Sequence, residues 1–391
     1  MTRDVVVTVH DAGGKLRQFL AAFATACAGS GGSSGRFVLA LGSTMTSDMP
    51  GISAAGATPR LRRLTPRTDA EALVLGRTAD GHELPVSPAG IVSPVVITRA
   101  VTVSMSLPVA VVDCGSFEPP RIPCLTVGRE VAGCVSSGRA LEPRTVETLF
   151  QSGLALGQQL SLRDSFLIVS ECTPGGTTTA LGVLTALGYD AQRLMSSSLP
   201  QGDHELKAKV VRQGLERAGL SPGAAADRPF LAVAAAGDPM QPFTAGLALS
   251  ASRRIPVMLA GGSQMLCVWA LMRAIAAKES LGMSCGAVGV VTTGWVAFDR
   301  SARCPELARL VDAPMAAACP DFNRSRHPGL RAYEQGHVKE GVGAGGAMAA
   351  AVLSNTLDAR GLMEAIDDMY DELVTVRTAE CAVPWNGRPA T

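Results

Sequence analysis

Residues 166–179 read Phe-Leu-Ile-Val-Ser-Glu-Cys-Thr-Pro-Gly-Gly-Thr-Thr-Thr, and an Ala- and Leu-rich helical pattern follows as far as about Tyr189. A short apolar run of this kind predicts a strand that is buried on both faces of a sheet. The Gly-Gly turn and the helix after it complete a strand–turn–helix unit. Such units are typical of a parallel α/β sheet.

The same design recurs along the chain. Further apolar runs, each followed by a Gly or small polar turn, occupy residues 37–42, 109–115, 230–236, 256–260 and 287–292. With 166–171 they predict six strands that alternate with helices, as in a doubly wound, mostly parallel sheet. The chain ends have a different, more helical pattern. We therefore expect an α/β core over 31–345 and a smaller helical subdomain built from residues 1–30 and 346–391.

The composition excludes several classes of protein. Of the 391 residues, 47% are hydrophobic and 18% are charged, a balance that excludes a disordered chain. The 35 basic and 34 acidic residues give a net charge of +1. The chain therefore lacks the excess positive charge that binds phosphates of nucleic acids, and we expect no nucleic-acid partner.

The spacing of the cysteines and the hydropathy of the chain indicate in which cellular compartment the protein works. The ten cysteines form no C-x-x-C pair and the five histidines are scattered, which is typical neither of a zinc site nor of a disulfide-rich secreted domain. Residues 255–272 carry no charge, but their central Gly-Gly-Ser-Gln divides them into a strand and a helix. We expect a cytoplasmic protein that has no metal site and does not bind a membrane.

The turn after Glu171 is a candidate anion site. Gly175 and Gly176 let the backbone approach a ligand closely. Thr177, Thr178 and the amides of the following helix N-terminus supply hydrogen-bond donors to an anion. A tight strand-to-helix turn with a Thr cap explains the same residues without a ligand. The local pattern does not decide between these interpretations.

Two further features are weaker candidates for anion binding. The turn at 261–264 contains Gly262 and Ser263, which hold either the same anion or the cap of their own helix, and we favour the cap. Lys207 and Lys209 lie on a predicted charged helix after the first Gly turn. Lysines in this setting are more often solvated than bound to phosphate.

A second carboxylate lies in the Gly-rich stretch at 337–346. Its glycines satisfy the pattern G-x-G-x-x-G from Gly341 onward, but no apolar strand precedes them, so we reject a dinucleotide site. What remains is Glu340 in a Gly loop before an apolar helix, whose N-terminus favours the ionised carboxylate. An ionised carboxylate in a closed site is a candidate general base. The alternative is an ordinary Glu at a helix N-terminus.

Five stretches of the sequence together point to a known family. They are Pro50–Pro59, Ser93–Arg99, Pro174–Leu181, Gly329–Tyr333 and Val338–Gly346. In this order, over about residues 37–350, they resemble the nicotinate-nucleotide:dimethylbenzimidazole phosphoribosyltransferases, and most closely their archaeal and cyanobacterial branch. The third and fifth stretches are the most specific. The resemblance implies a parallel α/β sheet, a smaller helical domain from both chain ends, and a homodimer.

The resemblance also implies roles for individual residues. Glu340 matches the catalytic glutamate, and Glu171 matches a second glutamate that stabilises cationic charge on the ribose. The match for a lysine that reaches the phosphate is Lys209, with Lys207 second. The residues matched to the phosphate loop are Gly175, Gly176, Thr177 and Thr178. The residues matched to the acceptor-base pocket are Ser93 and Thr98.

The implied reaction transfers a phosphoribosyl group from nicotinate mononucleotide to an azole such as 5,6-dimethylbenzimidazole, as in assembly of the cobalamin lower ligand. No cofactor is required. Gly176 stands where the bacterial branch has Asn, and the Asp-His-Gly turn of that branch is missing, so the acceptor base stays open. Two alternatives remain: the same chemistry on a different nucleobase in a specialised pathway, and a nucleotide-binding relative that has lost turnover.

Overall fold

The structure is a computed structural model that describes residues 5–29, 35–81, 84–199 and 203–375. Parts of the two predicted units, namely residues 1–4, 30–34 and 376–391, lie outside the described residues. Among the described residues, no helix is both long and apolar enough to span a bilayer.

A mixed sheet forms the centre of the protein. Its strands are β1 (Val6–His10), β2 (Arg36–Leu41), β3 (Val109–Asp113), β4 (Leu125–Thr126), β5 (Leu167–Cys172), β6 (Val257–Ala260), β7 (Val288–Thr293) and β8 (Met315–Ala318). Their order is β1-β8-β7-β6-β5-β2-β3-β4. Neighbouring strands are parallel, apart from the antiparallel pair β1–β8 at one edge. The predicted mostly parallel α/β fold is confirmed.

Helices cover both faces of the sheet. They are α1 (Lys15–Ala28), α2 (Pro59–Leu75), α3 (Val95–Ser104), α4 (Pro143–Leu160), α5 (Gly176–Leu187), α6 (His204–Arg217), α7 (Pro229–Ala236), α8 (Met240–Ala251), α9 (Ser263–Lys278), α10 (Gly294–Ala297), α11 (Cys304–Leu310), α12 (Pro328–Arg331), α13 (Ala344–Leu353) and α14 (Ala359–Tyr370). Successive residues of the central strands alternate between two apolar cores. In β5, for example, Val169 belongs to the core with α4 and α8, and Ile168 to the core with α3 and α13.

One predicted strand is wrong. Residues 230–236 form most of helix α7, which begins with Pro229 at its first turn. Four of the helical residues are Ala, the strongest helix former, and Pro is well accommodated at a helix start. A short apolar run alone does not distinguish a buried strand from a buried helix.

Both chain ends contact the main sheet. β1 is the antiparallel edge strand of the main sheet, and α1 packs on β7. At the other end, α13 packs on β6, β7 and β8, while α14 packs on α3. The described parts of both ends therefore extend the sheet and cover one of its faces. The parallel strands all end at the same edge, where such sheets bind ligands.

Candidate active site

A pocket lies at the carboxyl edge of the sheet, above β5, β6 and β7. Its space, including the open mouth, measures about 890 Å³. Its walls come from the turn after β5, the start of α9, the loop before α13, and segments near residues 52–69 and 85–94.

Most of the predicted site residues meet in this pocket. Those that line it are Ser93, Glu171, Gly175, Gly176, Thr177, Gly262, Ser263, Glu340 and Gly341. Three others do not line it, namely Thr98, Thr178 and Lys209. Residues that are about 250 positions apart in sequence are thus brought together by the parallel topology.

The turn between β5 and α5 requires its two glycines. Gly175 has φ of +83°, a left-handed conformation that favours glycine, and its backbone packs against Ser47. A Cβ on Gly176 would lie 1.8 Å from Oε1 of Gln264. The second glycine therefore leaves room for the Gln264 side chain.

A buried lysine on a different helix contacts the start of α5, directly after this turn. Lys207 on α6 is only 1% exposed, and its Nζ donates to Thr177 Oγ1 at 2.9 Å and to the Ser196 carbonyl at 3.2 Å. Burial, with a smaller contribution from the charge of Lys339, lowers the pKa of Lys207 to about 8. A cation beside the first turn of a helix favours an anion at this end of the pocket.

The structure distinguishes the two candidate lysines by their burial. Lys209 is exposed to solvent on the outer side of α6, whereas Lys207 faces inward with Val210, Val211 and Gly214. Residues three, four and seven positions apart share one helix face. That spacing was the available signal, and it favours Lys207.

Two other predicted residues make hydrogen bonds that tie the walls of the pocket together, and a third is buried. Ser263 Oγ accepts from the Ser196 amide at 2.8 Å and donates to Ser196 Oγ at 3.1 Å, so it ties the 196–198 segment to α9. Thr98 Oγ1 donates to the Val342 carbonyl at 2.9 Å and so fixes the loop that carries Glu340. Thr178 is fully buried in α5.

Glu340 accepts four hydrogen bonds. Thr292 Oγ1 and the Thr293 amide donate to its Oε2, both at 2.9 Å, and the amides of Gly341 and Gly345 donate to its Oε1, both at 3.3 Å. Burial raises the pKa of Glu340, and all four hydrogen bonds act in the opposite direction. Donors aimed at both oxygens favour the ionised form.

The loop that carries Glu340 is strained. Val338 and Val342, two residues before and after Glu340, both have φ of +52°. This left-handed conformation is unfavourable for β-branched side chains. Strain of this kind persists only where the surrounding structure enforces it, and it is concentrated at functional sites.

Glu171 is held differently. It is 7% exposed, and its Oε1 accepts one hydrogen bond, from Gln264 Nε2 at 2.8 Å. Its Oε2 is buried without a hydrogen-bond partner of good geometry in the described part of the chain. Burial, reinforced by the charges of Asp238 and Glu340, raises the pKa of Glu171 to about 8, although the nearby Thr173 lowers it in part. Glu171 is therefore mostly protonated at neutral pH.

Sequence reasoning missed several polar residues of the pocket. They are Asp69 on α2, Gln264 on α9 and Lys339 beside the general-base candidate. Lys339 is buried and pairs with Asp299 at 2.5 Å. Asp69 and Gln264 lie on helices whose orientation toward the pocket depends on tertiary packing. In the residues that the structure describes, no three His, Cys, Asp or Glu side chains are grouped closely enough to hold a metal ion.

Relatives of the chain have been found by sequence. A UPF0284 protein of Gloeobacter violaceus is 48% identical over 337 residues, which cover 86% of this chain and 88% of the relative. A UPF0284 protein of Cyanothece sp. is 45% identical over 341 residues, covering 86% and 92%. The chain belongs to the UPF0284 family. No protein-family model matches it.

Two solved structures share the fold of this UPF0284 protein. The nicotinate-nucleotide-dimethylbenzimidazole phosphoribosyltransferase of Thermus thermophilus aligns with a TM-score of 0.56 and 18% identity, over 90% of this chain and 94% of its own. A structure of CobT from the same organism aligns with a TM-score of 0.53 and 18% identity, over 90% and 95%. The resemblance that the motifs predicted is confirmed at the level of the fold.

Proposed function

We propose that this UPF0284 protein transfers a phosphoribosyl group from nicotinate mononucleotide to a ring nitrogen of an azole base. The observation that carries the proposal is one pocket in which an anion-binding turn lies with two buried carboxyl groups of different character, Glu171 and Glu340. The fold shared with two phosphoribosyltransferases supports it. The products would be nicotinate and an α-linked ribotide, as in cobalamin lower-ligand assembly.

The 5′-phosphate of the donor would bind at the turn between β5 and α5. The first amides of a helix have no intrahelical partners and favour an anion. The Thr177 hydroxyl and the Lys207 ammonium lie 2.9 Å apart and can both contact phosphate oxygens. A bound phosphate would also stabilise the charged form of Lys207, whose pKa is lowered to about 8 by burial.

Glu340 would act as the general base. Its carboxylate removes the N–H proton of the azole while the other ring nitrogen attacks C1′ of the ribose. The bond between C1′ and the pyridinium nitrogen breaks, and its electron pair returns to the ring, which leaves as nicotinate. The four hydrogen bonds to Glu340 hold the carboxylate in one orientation, and catalysis then rests on positioning and proton removal.

The environment of Glu171 changes the role that the resemblance implied. A carboxyl group with a pKa of about 8 is mainly neutral at pH 7 and stabilises a cation less than a carboxylate does. We therefore assign Glu171 to hydrogen bonding of a substrate hydroxyl. Gln264 holds it in place through the 2.8 Å hydrogen bond to Oε1.

The test is to incubate the purified protein with nicotinate mononucleotide and a panel of azoles and purines. Nicotinate is quantified by chromatography, and the anomeric configuration of the product is assigned by NMR. We expect release of nicotinate that depends on the acceptor, with an α-linked product. Tight binding of the donor without release with any base would instead indicate a nucleotide-binding protein that lacks this activity.

A further inference from the structure

A third carboxyl group, that of Asp69, lines the same pocket. Asp69 lies in the middle of α2 and is 3% exposed. Residues of the segment at 85–94 line the same pocket, and one of them, Ser93, which the resemblance matches to the acceptor-base pocket, lies close enough to Asp69 to affect its pKa. The proposed reaction gives Asp69 no role in proton removal or phosphate binding.

The hydrogen bonding of Asp69 is incomplete. Its Oδ2 accepts from Cys172 Sγ at 3.4 Å, and a thiol is a weak donor. Its Oδ1 is buried and has no hydrogen-bond partner of good geometry among the described residues. Burial raises the pKa of Asp69 to about 7, and the neighbouring Ser93 hydroxyl and Cys172 thiol only partly offset that effect.

A buried carboxyl oxygen without a partner destabilises a protein, so such groups are rare away from functional sites. Its position in a ligand pocket gives it a natural partner, namely a hydrogen-bond donor on the ligand. The carboxylate of a nicotinate ring has no hydrogen to donate and would repel an ionised Asp69. In its ionised form, which prevails above about pH 7, Asp69 therefore suits a hydrogen-bond donor on the acceptor base and not the leaving group.

The pocket that contains Asp69 also has apolar walls. Apolar side chains of Ile52, Pro85, Val86 and Ile91 line the pocket together with Asp69. Apolar walls around one fixed polar group are typical of sites that bind a ring and fix its orientation. A ring that carries only methyl groups would leave Oδ1 of Asp69 buried and unpaired, which is unfavourable.

We infer that Asp69 selects the acceptor, by accepting a hydrogen bond from an amino or hydroxyl group on the six-membered ring of a fused azole. This inference rests on the proposed function. It makes Asp69 a specificity-determining residue and 5,6-dimethylbenzimidazole a poorer substrate than a hydroxylated or aminated azole of similar size.

The experiment compares matched acceptors that differ in one group: 5-hydroxybenzimidazole and 5-aminobenzimidazole against 5-methylbenzimidazole, and adenine against purine. We expect kcat/KM of the natural protein to favour the donor-bearing member of each pair by about 10- to 100-fold, the range for one hydrogen bond to a charged or strongly polar group. In Asp69→Leu this preference should fall to within about threefold of unity, with the KM for nicotinate mononucleotide unchanged.

Two further variants complete the test. Thr68→Val is the matched control, because Thr68 is the buried neighbour of Asp69 and its hydroxyl donates only within α2; it should keep the natural preference. Asp69→Asn keeps the size of the side chain and serves as the test if Asp69→Leu does not fold. Its preference for the donor-bearing acceptor of each pair should be at least threefold lower than that of the natural protein. Release of nicotinate with an unchanged preference in the Asp69 variants overturns this inference alone. The inference is also overturned if the Asp69 variants change the KM for nicotinate mononucleotide and leave the preference between acceptors as it is. If the natural protein releases no nicotinate with any of these acceptors, both the inference and the proposed function are overturned.

Discussion

Glu340 and Glu171 are two glutamates in one pocket, and their surroundings differ sharply. Glu340 lies in a strained glycine loop and accepts four hydrogen bonds. Glu171 lies at the end of a regular strand and accepts one, from Gln264. Both side chains are buried, but only Glu340 has hydrogen-bond donors on both of its oxygens to offset the cost of burying a charge. Donors on both oxygens favour the ionised form of Glu340 more than the single donor favours that of Glu171, and such a difference in surroundings can separate the roles of two carboxyl groups.

The two carboxyl groups also influence each other. The charge of Glu340 is one of the causes that raise the pKa of Glu171. Fewer hydrogen-bond donors oppose protonation at Glu171 than at Glu340, and this difference favours Glu340 as the proposed base. Apparent pKa values from kinetics would belong to the pair.

The largest expected effect separates the two glutamates by activity. Glu340→Gln removes the basic oxygen, and turnover should fall by about 10²- to 10⁴-fold, the usual contribution of general-base catalysis. Glu171→Gln resembles the neutral acid that Glu171 already is, so turnover should fall less than about tenfold. Steady-state rates of nicotinate release measure both, and equal losses in the two variants would remove the distinction between them.

The next effect concerns the anion end of the pocket. Lys207→Met should raise the KM for nicotinate mononucleotide by about 10- to 100-fold, because a buried charge-assisted contact is lost. Lys209→Met is the matched control, since it lies two residues away on the same helix and is exposed; its KM should stay within about twofold. A larger effect at Lys209 would restore the original choice of lysine.

A smaller effect is expected from loss of one hydrogen bond to Glu340. Thr292→Val removes one of the donors to Glu340 Oε2, and loss of a donor to the ionised form raises a carboxyl pKa. The acidic limb of the profile of kcat/KM against pH should move to higher pH, with kcat at neutral pH about three- to tenfold lower. Thr244→Val, another fully buried threonine, should leave the profile where it is. An unmoved acidic limb in Thr292→Val would assign that limb to a different group.

The last effect is on stability and not on catalysis. The pKa of Glu171 is raised from 4.5 to about 8 in the folded protein, so the folded state binds more protons than the unfolded state between these values. The free energy of unfolding should therefore decrease as pH rises from about 4.5 to 8, with a slope from this group of at most about 1.4 kcal/mol per pH unit. Urea unfolding of Glu171→Gln should show a flatter dependence than the natural protein. An identical dependence would mean that Glu171 is ionised at neutral pH.

The sequence predicted much of this fold because strongly apolar strands repeat with glycine turns at their ends. Five of the six predicted strands occur, and the sixth became α7 because its Ala-rich run suits either structure. β8, with the sequence Met-Ala-Ala-Ala, lacks the β-branched residues that mark a strand. Its place in the sheet comes from pairing with β7 and β1.

The candidate site was predictable where backbone geometry requires particular residues. Gly175 and Gly176 stand in a turn, and local sequence also marks the strand end at Glu171 and the glycine-rich loop at Glu340. Asp69 and Gln264 were not predictable in this way, because each looks like an ordinary helical residue until packing turns it toward the pocket. Lys207 was an intermediate case, since the helical spacing to Val210 and Val211 contains the information.

The most direct test of the account uses acceptors of graded acidity with the natural protein and Glu340→Gln. Nicotinate release is measured for a series of benzimidazoles whose N–H pKa falls through electron-withdrawing substituents that do not donate hydrogen bonds. If Glu340 removes that proton, the deficit of Glu340→Gln should be about 10²- to 10⁴-fold with the least acidic acceptor and should shrink steadily as acidity increases. A deficit that stays constant across the series, or turnover near that of the natural protein with every acceptor, would contradict the assignment of Glu340 as the base.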